Sequence, residues 1–375
     1  MSSSKIQQSP LQKSAYTIGW ICAIQTEFVA ACEVLDEEHS PPLLEATGDS
    51  NAYDFGRIGD HNVVIATLPK GRYGTTSAAV VARDMLRTFP LIKLGLMVGI
   101  GGGAPSTNSD IRLGDVVVSV PGSRAGGVVH YDFGKTVQSK EFQRTGSLAA
   151  PPPILLTALS QLGAQQERRG HRIAETAAEV VKKNPRLKSK YQRPDPTEDR
   201  LYRATFVHAD DTKKCLDCCQ GEERELIYRP RRSSDADDPV IHYGLIASAD
   251  RLMKDALLRD TLSAKEGILC FEMEAAGLMD HFPCLVIRGI CDYSDTHKND
   301  TWQGFAAVAA ASYAKELLQV IPGTEVEGLR SSEGSEDERS GGGQVNNFSG
   351  SINTSGGYTI MGNQMNSGGG SMQFG

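Results

Sequence analysis

The sequence predicts a three-layer α/β domain on a mixed sheet, followed by a tail of another class. Three observations carry this. Strand-like and helical patterns alternate from residue 16 to about 321, one strand pair is joined by a tight Gly59-Asp60 turn, and composition changes abruptly near residue 324.

Taken in order, "YTIGWICAI" reads as a buried strand and "TEFVAACEVLDEEH" as a helix. "AYDFGRIGDHNVVIATL" reads as a hairpin, "TTSAAVVARDMLRTF" as a helix, and "LGLMVGI" as a strand running into the glycines 101–103. "DVVVSV" and "GVVHYDF" follow, then a helix in "PPILLTALSQLGAQQERR". Residues 180–239, with "KKNPRLKSKYQRPDPTEDR" and "RPRRSSDADDP", are polar and proline-marked and read as an insertion. The core resumes with "IHYGLIAS", a helix over "ADRLMKDALLRDTLSAK", the strands "GILCFEME" and "PCLVIRGICDY", and a last helix, "WQGFAAVAAASYAKELLQVI".

The expected organisation is a disordered 1–15, a domain over 16–323, a charged Gly/Ser-rich linker over 324–343 and an assembly tail over 344–375. The tail is rich in Asn, Gln, Ser and Gly. It reads either as disordered or as a segment that stacks conditionally into β-structure, with Val345, Phe348, Ile352, Tyr358 and Ile360 packing inside. The net charge of −7 shows no basic bias, which argues against nucleic acid as the main partner. With no apolar run long enough to span a bilayer, no membrane association is expected, and the location expected is cytoplasmic. Cys22, Cys270, Cys284 and Cys291 lie in apolar runs, as reduced thiols do.

The chemistry concentrates at strand ends, where ligand sites in α/β sheets gather. Glu27 follows the first strand, glycines end "GLMVGIGGG", Glu272 and Glu274 end "GILCFEME", and Asp292 ends "PCLVIRGICD". Each has a structural alternative: a first-turn charge for Glu27, a cap for Asp292, salt-bridged core residues for the two glutamates. Together they form a candidate site of four carboxylates.

"GLMVGIGGG", "GDVVVS", "GLIAS", "FEMEAAG" and "VIRGICDYSD", in this order, resemble the nucleoside phosphorylase/nucleosidase superfamily, in particular the phosphorylase-like domain of fungal immune receptors. The resemblance spans roughly 16–321 and implies a three-layer phosphorylase/hydrolase-like fold. It assigns Glu274 to the ribose hydroxyls, with Met273 against the sugar and Glu272 beside it. Asp292 would protonate or hydrogen-bond purine N7, and Glu27 would orient water. Gly101 and Gly102 would line the water or anion position, and the backbone at Leu252 and Met253 would meet the base. It implies a purine nucleoside or nucleotide substrate, with no cofactor, and a homo-oligomer. The retained Glu27 and a glycine run without arginine favour hydrolysis over phosphorolysis.

Lys70, Arg72 and Thr75 precede or open a helix, and Arg251, Lys254, His297 and Lys298 flank other site loops, so a 5′-phosphorylated substrate fits; the resemblance favours ATP. Ordinary surface charge is the alternative for each. His208, Cys215 and Cys218 form at most a zinc half-site, for which only the distant His242 offers completion, so no metal is expected. The tail's resemblance to fungal amyloid-signalling motifs implies a templating receptor as partner. Two other functions stay open: a phosphate-dependent phosphorylase and a catalytically silent nucleotide-binding adaptor.

Overall fold

The computed structural model describes residues 10–43, 48–123, 125–210, 213, 215–219, 221–233, 238–282 and 284–329. The expected assembly tail and the linker beyond residue 329 lie outside the described residues, as does the start of the N-terminal segment. The described residues form one compact unit.

The elements run β1 (Ile18–Cys22), α1 (Gln25–Glu33), β2 (Glu37–Glu38), β3 (Tyr53–Ile58), β4 (His61–Thr67), α2 (Thr75–Thr88), β5 (Leu94–Gly103), β6 (Val116–Ser119), β7 (Val128–His130), β8 (Gly134–Lys135) and β9 (Gln143–Arg144). They continue with α3 (Pro153–Arg169), α4 (Ile173–Lys183), α5 (Lys188–Tyr191), α6 (Cys215–Cys218), β10 (Ile241–Ser248), α7 (Ala256–Glu266), β11 (Ile268–Glu272), β12 (Cys284–Asp292), α8 (Gln303–Gln319) and α9 (Gly323–Glu327).

β1 is apolar throughout because both its faces are covered, and it lies parallel to β4 on one side and β5 on the other. β3 and β4 form the expected hairpin, with Ile58 opposite His61 and Gly59 at positive φ in the turn. α2 buries Ala78, Val81, Ala82 and Met85, one face at helical spacing. α8 is buried on nearly every side, from Gly304 to Ala314, and its alanines let β12 and α1 approach closely. Gly289 of β12 faces it: a Cβ there would meet the Ala306 carbonyl carbon at 2.5 Å. α8 and α1 cover one face of the sheet and α2 the other, which makes three layers.

The sheet order is β11-β10-β6-β12-β5-β1-β4-β3-β2, with mixed strand directions. The glycine run belongs to β5 and forms its last residues. Gly102 and Gly103 pair antiparallel with Phe271 and Cys270 of β11. That pairing closes β5, β12, β6, β10 and β11 into a ring, and it brings the end of β11, with Glu272, beside β12.

Several boundaries differ from the sequence reading; the helix expected through His39 ends at Glu33, and Glu37–Glu38 pair with β3 as a strand. The helix expected from Ala249 starts at Ala256, because the Asp255 side chain accepts the Leu258 N–H as its N-cap. The linker expected from residue 324 begins later: α9 runs to Glu327 and Val326 packs in the core. Within the expected insertion, α5 packs on α8, with Tyr191 buried. Among the described residues no helix is long and apolar enough to cross a membrane.

Candidate active site

Side chains alternate along β12, so with Gly289 facing α8, Arg288 points to the opposite face, fully buried. Its neighbour across the strand pair is Gly99, where a Cβ would stand 2.7 Å from Arg288 Nη1 and against the Glu27 carboxylate. The glycine therefore makes room for a buried ion cluster. Arg288 Nη2 pairs with Glu272 and lies 3.5 Å from Glu274 Oε2; Nη1 donates to the Ile100 carbonyl at 3.2 Å and lies 3.8 Å from Glu27 Oε1.

The three glutamates differ in how fully they are held. Glu272 accepts from the N–H groups of Glu274 and Ala275 at 3.1 Å besides its arginine, so it closes the turn after β11 and has little capacity left. Glu27, in the first turn of α1, accepts from Ala23 (2.6 Å), Ile24 (3.1 Å) and Ile100 (2.8 Å). It is both a first-turn charge and a member of the cluster. Glu274 has only long contacts: Gly74 N–H at 3.4 Å, Met273 N–H at 3.3 Å and Arg288. It keeps lone pairs for a ligand hydroxyl.

Three carboxylates thus share one guanidinium. Burial, then Glu272 and Glu27, push the Glu274 carboxyl up to about 7 against the pull of Arg288. Burial also raises Glu27, although Arg288 and three N–H groups oppose it. A site with surplus negative charge in a water-poor environment favours hydroxyl donors and developing positive charge.

Asp292 lies four residues further along β12, opposite Gly102, roughly 13 Å on at ~3.3 Å per residue. A Cβ at Gly102 would stand 2.6 Å from Asp292 Oδ1, so this glycine too clears space for a carboxylate. Oδ1 accepts from Ser294 N–H at 2.8 Å, and Oδ2 accepts from Lys298 Nζ at 2.7 Å and Cys291 Sγ at 3.2 Å. Burial alone would raise this carboxyl, but Lys298 and the hydrogen bonds bring it below the ordinary value. Ser294 turns the chain here at φ +53°. A cavity of about 540 Å³ opens at this end, lined by Asp292, Lys298, Lys254, Arg200 and Tyr202 among others.

The remaining predicted residues scatter. Met273 is half-buried between Glu272 and Glu274, Met253 is buried, and Leu252 is exposed. A Cβ at Gly101 would meet Cys270 Sγ at 2.5 Å. Lys70 and Arg72 are exposed on the loop whose Gly74 touches Glu274, and neither makes an ion pair among the described residues. The helix start after them, read as suited to anions, already holds one from the protein: the Asp250 carboxylate accepts from Thr75 N and Oγ1, both at 2.8 Å. Arg251 lies 3.5 Å from Asp132 and packs on the Tyr131 ring. Lys254 and Lys298 meet at the cavity, where Arg200 is an addition that the sequence did not mark.

The cysteine cluster also differs from the reading. Among the described residues, the group able to hold a metal is His208, Cys215, Cys219 and His297, with Cys219 where Cys218 was expected. His242 is engaged elsewhere, 2.9 Å from Asp115. His297, read as a phosphate contact, turns its ring into this cluster.

No protein-family profile matches the chain. It is 45% identical over 318 residues to a nucleotide-binding leucine-rich repeat (NLR)-like protein of Hyaloscypha variabilis, a match covering 85% of this chain and 30% of that protein. It is 36% identical over 86 residues to the ATP nucleosidase Cap17 of Escherichia coli, covering 21% of this chain and 17% of the relative. A 5′-methylthioadenosine/S-adenosylhomocysteine nucleosidase of Mycobacterium tuberculosis is 24% identical over 313 residues, 82% of this chain and 98% of the enzyme. The chain thus spans under a third of the length of the first two relatives. Among solved structures, a putative 5′-methylthioadenosine/S-adenosylhomocysteine nucleosidase from Borrelia burgdorferi bound to adenine aligns with a TM-score of 0.50 and 17% identity, over 81% of this chain and 100% of that one. The fold is the mixed α/β fold of these nucleosidases.

Proposed function

We propose that this chain is an N-ribosyl hydrolase that cleaves the glycosidic bond of a purine nucleoside or nucleotide, with ATP as the favoured substrate. The observation that carries the reading is the charge imbalance at Gly99: three buried carboxylates against one guanidinium, with Glu274 the least committed. Ribose hydroxyls donate to Glu274, and the cluster's surplus charge offsets the oxocarbenium that forms as C1′–N9 breaks. The bond's electron pair passes to the purine, whose N7 takes a proton at the Asp292 end.

Asp292 is held ionised by Lys298 in the free protein, so the arriving base must weaken that pair before the carboxyl carries a proton. Water adds at C1′ and loses its proton to Glu27, whose burial makes it a stronger base than a free glutamate. Arg288 bears on the choice of nucleophile. Its Nη groups are taken by glutamates and the Ile100 carbonyl, and the surplus of carboxylates around it disfavours orthophosphate and with it phosphorolysis.

Support for ATP comes from the likeness to an ATP nucleosidase and from Lys70 and Arg72 beside the Glu274 loop. The tail, without a charged residue over 344–374, couples the enzyme to assembly-driven activation in immune or cell-death signalling. Chromatography of products from ATP, adenosine and methylthioadenosine, with and without phosphate, tests the reading. Adenine and ribose triphosphate without phosphate are expected; ribose 1-phosphate formed only with phosphate would replace hydrolase by phosphorylase.

A further inference from the structure

The geometry points to a structural zinc site formed by His208, Cys215, Cys219 and His297, which fastens the excursion carrying α6 to the loop that follows Asp292. The candidate ligand atoms lie within 4.8 Å of one another. A tetrahedral zinc with Zn–S about 2.3 Å and Zn–N about 2.0 Å sets sulfur and nitrogen ligands about 3.6 Å apart. His297 Nδ1 lies 3.6 Å from Cys215 Sγ and 3.8 Å from Cys219 Sγ, the edges such a tetrahedron needs.

The histidine is also prepared for this role. His297 Nε2 lies 3.1 Å from the Phe206 carbonyl, which can only accept, so Nε2 carries the hydrogen and Nδ1 presents its lone pair to the thiols. A backbone carbonyl on the far nitrogen of a ligating histidine is the usual outer partner of a metal site. The ring is further oriented by stacking on Tyr202, with centroids 4.1 Å apart.

Cys215 and Cys219 are four residues apart, with Cys219 N–H bonded to the Cys215 carbonyl at 2.9 Å, so one helical turn puts both sulfurs on one side. Cys218 adjoins the set without belonging to it, its Sγ 3.1 Å from His208 Nε2 and 3.8 Å from Cys219 Sγ. His208 is tied to the same loop through its N–H on Thr296 Oγ1 at 2.9 Å. The ligands are two cysteines and two histidines with no open position, as in structural rather than catalytic zinc sites. The sequence conceals the set because His297 lies 78 residues or more from the cysteines. His208, Cys215 and His297 also line the cavity at Asp292, so the ion would stiffen one wall of it and hold the segment preceding Lys298.

The test is metal analysis of the full chain, expressed in zinc-supplemented medium and passed over a desalting column. About one zinc per chain is expected, released by a thiol-modifying mercurial. Cobalt(II) substitution should give the visible spectrum of a tetrahedral thiolate-ligated ion. Cys219→Ser and His297→Ala should lower zinc affinity by at least the ~10–100-fold that loss of an outer-shell partner costs, while Cys218→Ser keeps the metal. A wild-type chain that carries no zinc and fails to compete with a chromophoric chelator for added Zn²⁺ overturns the site, whatever the variants do. Loss of zinc in Cys218→Ser with retention in Cys219→Ser overturns this ligand set.

Discussion

The two ends of the candidate site, one at the middle of the β5–β12 strand pair and one where that pair finishes, hold buried carboxylates and treat them oppositely. At Gly99, three glutamates share Arg288, and Glu274 is pushed up to about 7. At Gly102, Asp292 has Lys298 at 2.7 Å and sits below its ordinary value. Burial opposes ionisation at both ends, so what separates them is the number of cations per carboxylate. One end is short of positive charge and the other is neutralised until something displaces the lysine. A substrate that develops positive charge at its sugar and takes a proton at its base uses both conditions.

The comparison breaks most severely if the guanidinium goes. Arg288→Met leaves three buried carboxylates without their cation, and losing one partner of such a cluster costs about 3–5 kcal/mol. Urea unfolding at pH 7 should show it. In that variant the folded pKa values of Glu27 and Glu274 rise further above their unfolded ones. The stability they permit is then complete at acid pH and falls as pH rises through the folded values, so the deficit should shrink at pH 5. A loss under 1 kcal/mol, or one independent of pH, would remove Arg288 as the cluster's counter-ion.

At the other end, Asp292→Asn keeps the shape but removes the transferable proton. Base release per folded molecule should fall by about 10²-fold or more, measured as adenine formed, and the thermal midpoint should drop because Lys298 loses its partner. Turnover near that of the unaltered protein would take Asp292 out of the mechanism.

The pH dependence of stability sharpens the contrast, because the two groups act with opposite sign. Glu274 has a folded value near 7 against an ordinary 4.5, so its contribution is complete below 4.5 and is lost as pH rises through about 7. Asp292 is lowered from 3.8, so its contribution is present above 3.8 and is lost as pH falls through the folded value. Glu274→Gln should flatten the decline in stability between pH 4.5 and 7 and weaken ribose binding without unfolding the chain. Asp292→Asn should leave that interval alone and change only the acid limb. Identical profiles for the two variants would mean that the ends are not electrostatically distinct.

Much of this was legible in the residues. The alternating strands, the hairpin at Gly59 and the concentration of acids at strand ends follow from local pattern, which local physics enforces. Arg288 was overlooked although "VIRGICD" carries its signal, a charge inside an apolar strand with glycine beside it. A buried arginine demands acids, and the glutamates of "FEME" answer that demand before any sugar does. Gly102, expected to line the water or anion position, also makes room for the Asp292 carboxylate, as Gly99 does for that of Glu27. Their partners come from α1 and β12, remote in sequence, so only the β5–β12 pairing and the placement of α1 against it reveal this. The same limit applies to His297, which no spacing rule connects to Cys215.

The smallest effect is expected at the rim of the Glu274 end. Lys70 and Arg72 are exposed and make no ion pair among the described residues, so Lys70→Ala with Arg72→Ala should change stability by no more than about 0.5 kcal/mol. If they meet a 5′-triphosphate, each is worth roughly the ~1 kcal/mol of an exposed charge pair, about fivefold in kcat/KM. The double variant should therefore lose turnover of ATP while leaving adenosine unaffected. The difference should narrow as ionic strength rises, because contacts at an exposed rim are screened over about 8 Å at physiological salt and less above it. Equal losses on ATP and adenosine would instead make the loop a support for Glu274 through Gly74, whose N–H reaches that carboxylate at 3.4 Å. No loss on either would place the triphosphate elsewhere, with Lys254 and Arg200 at the Asp292 cavity the next cations to replace.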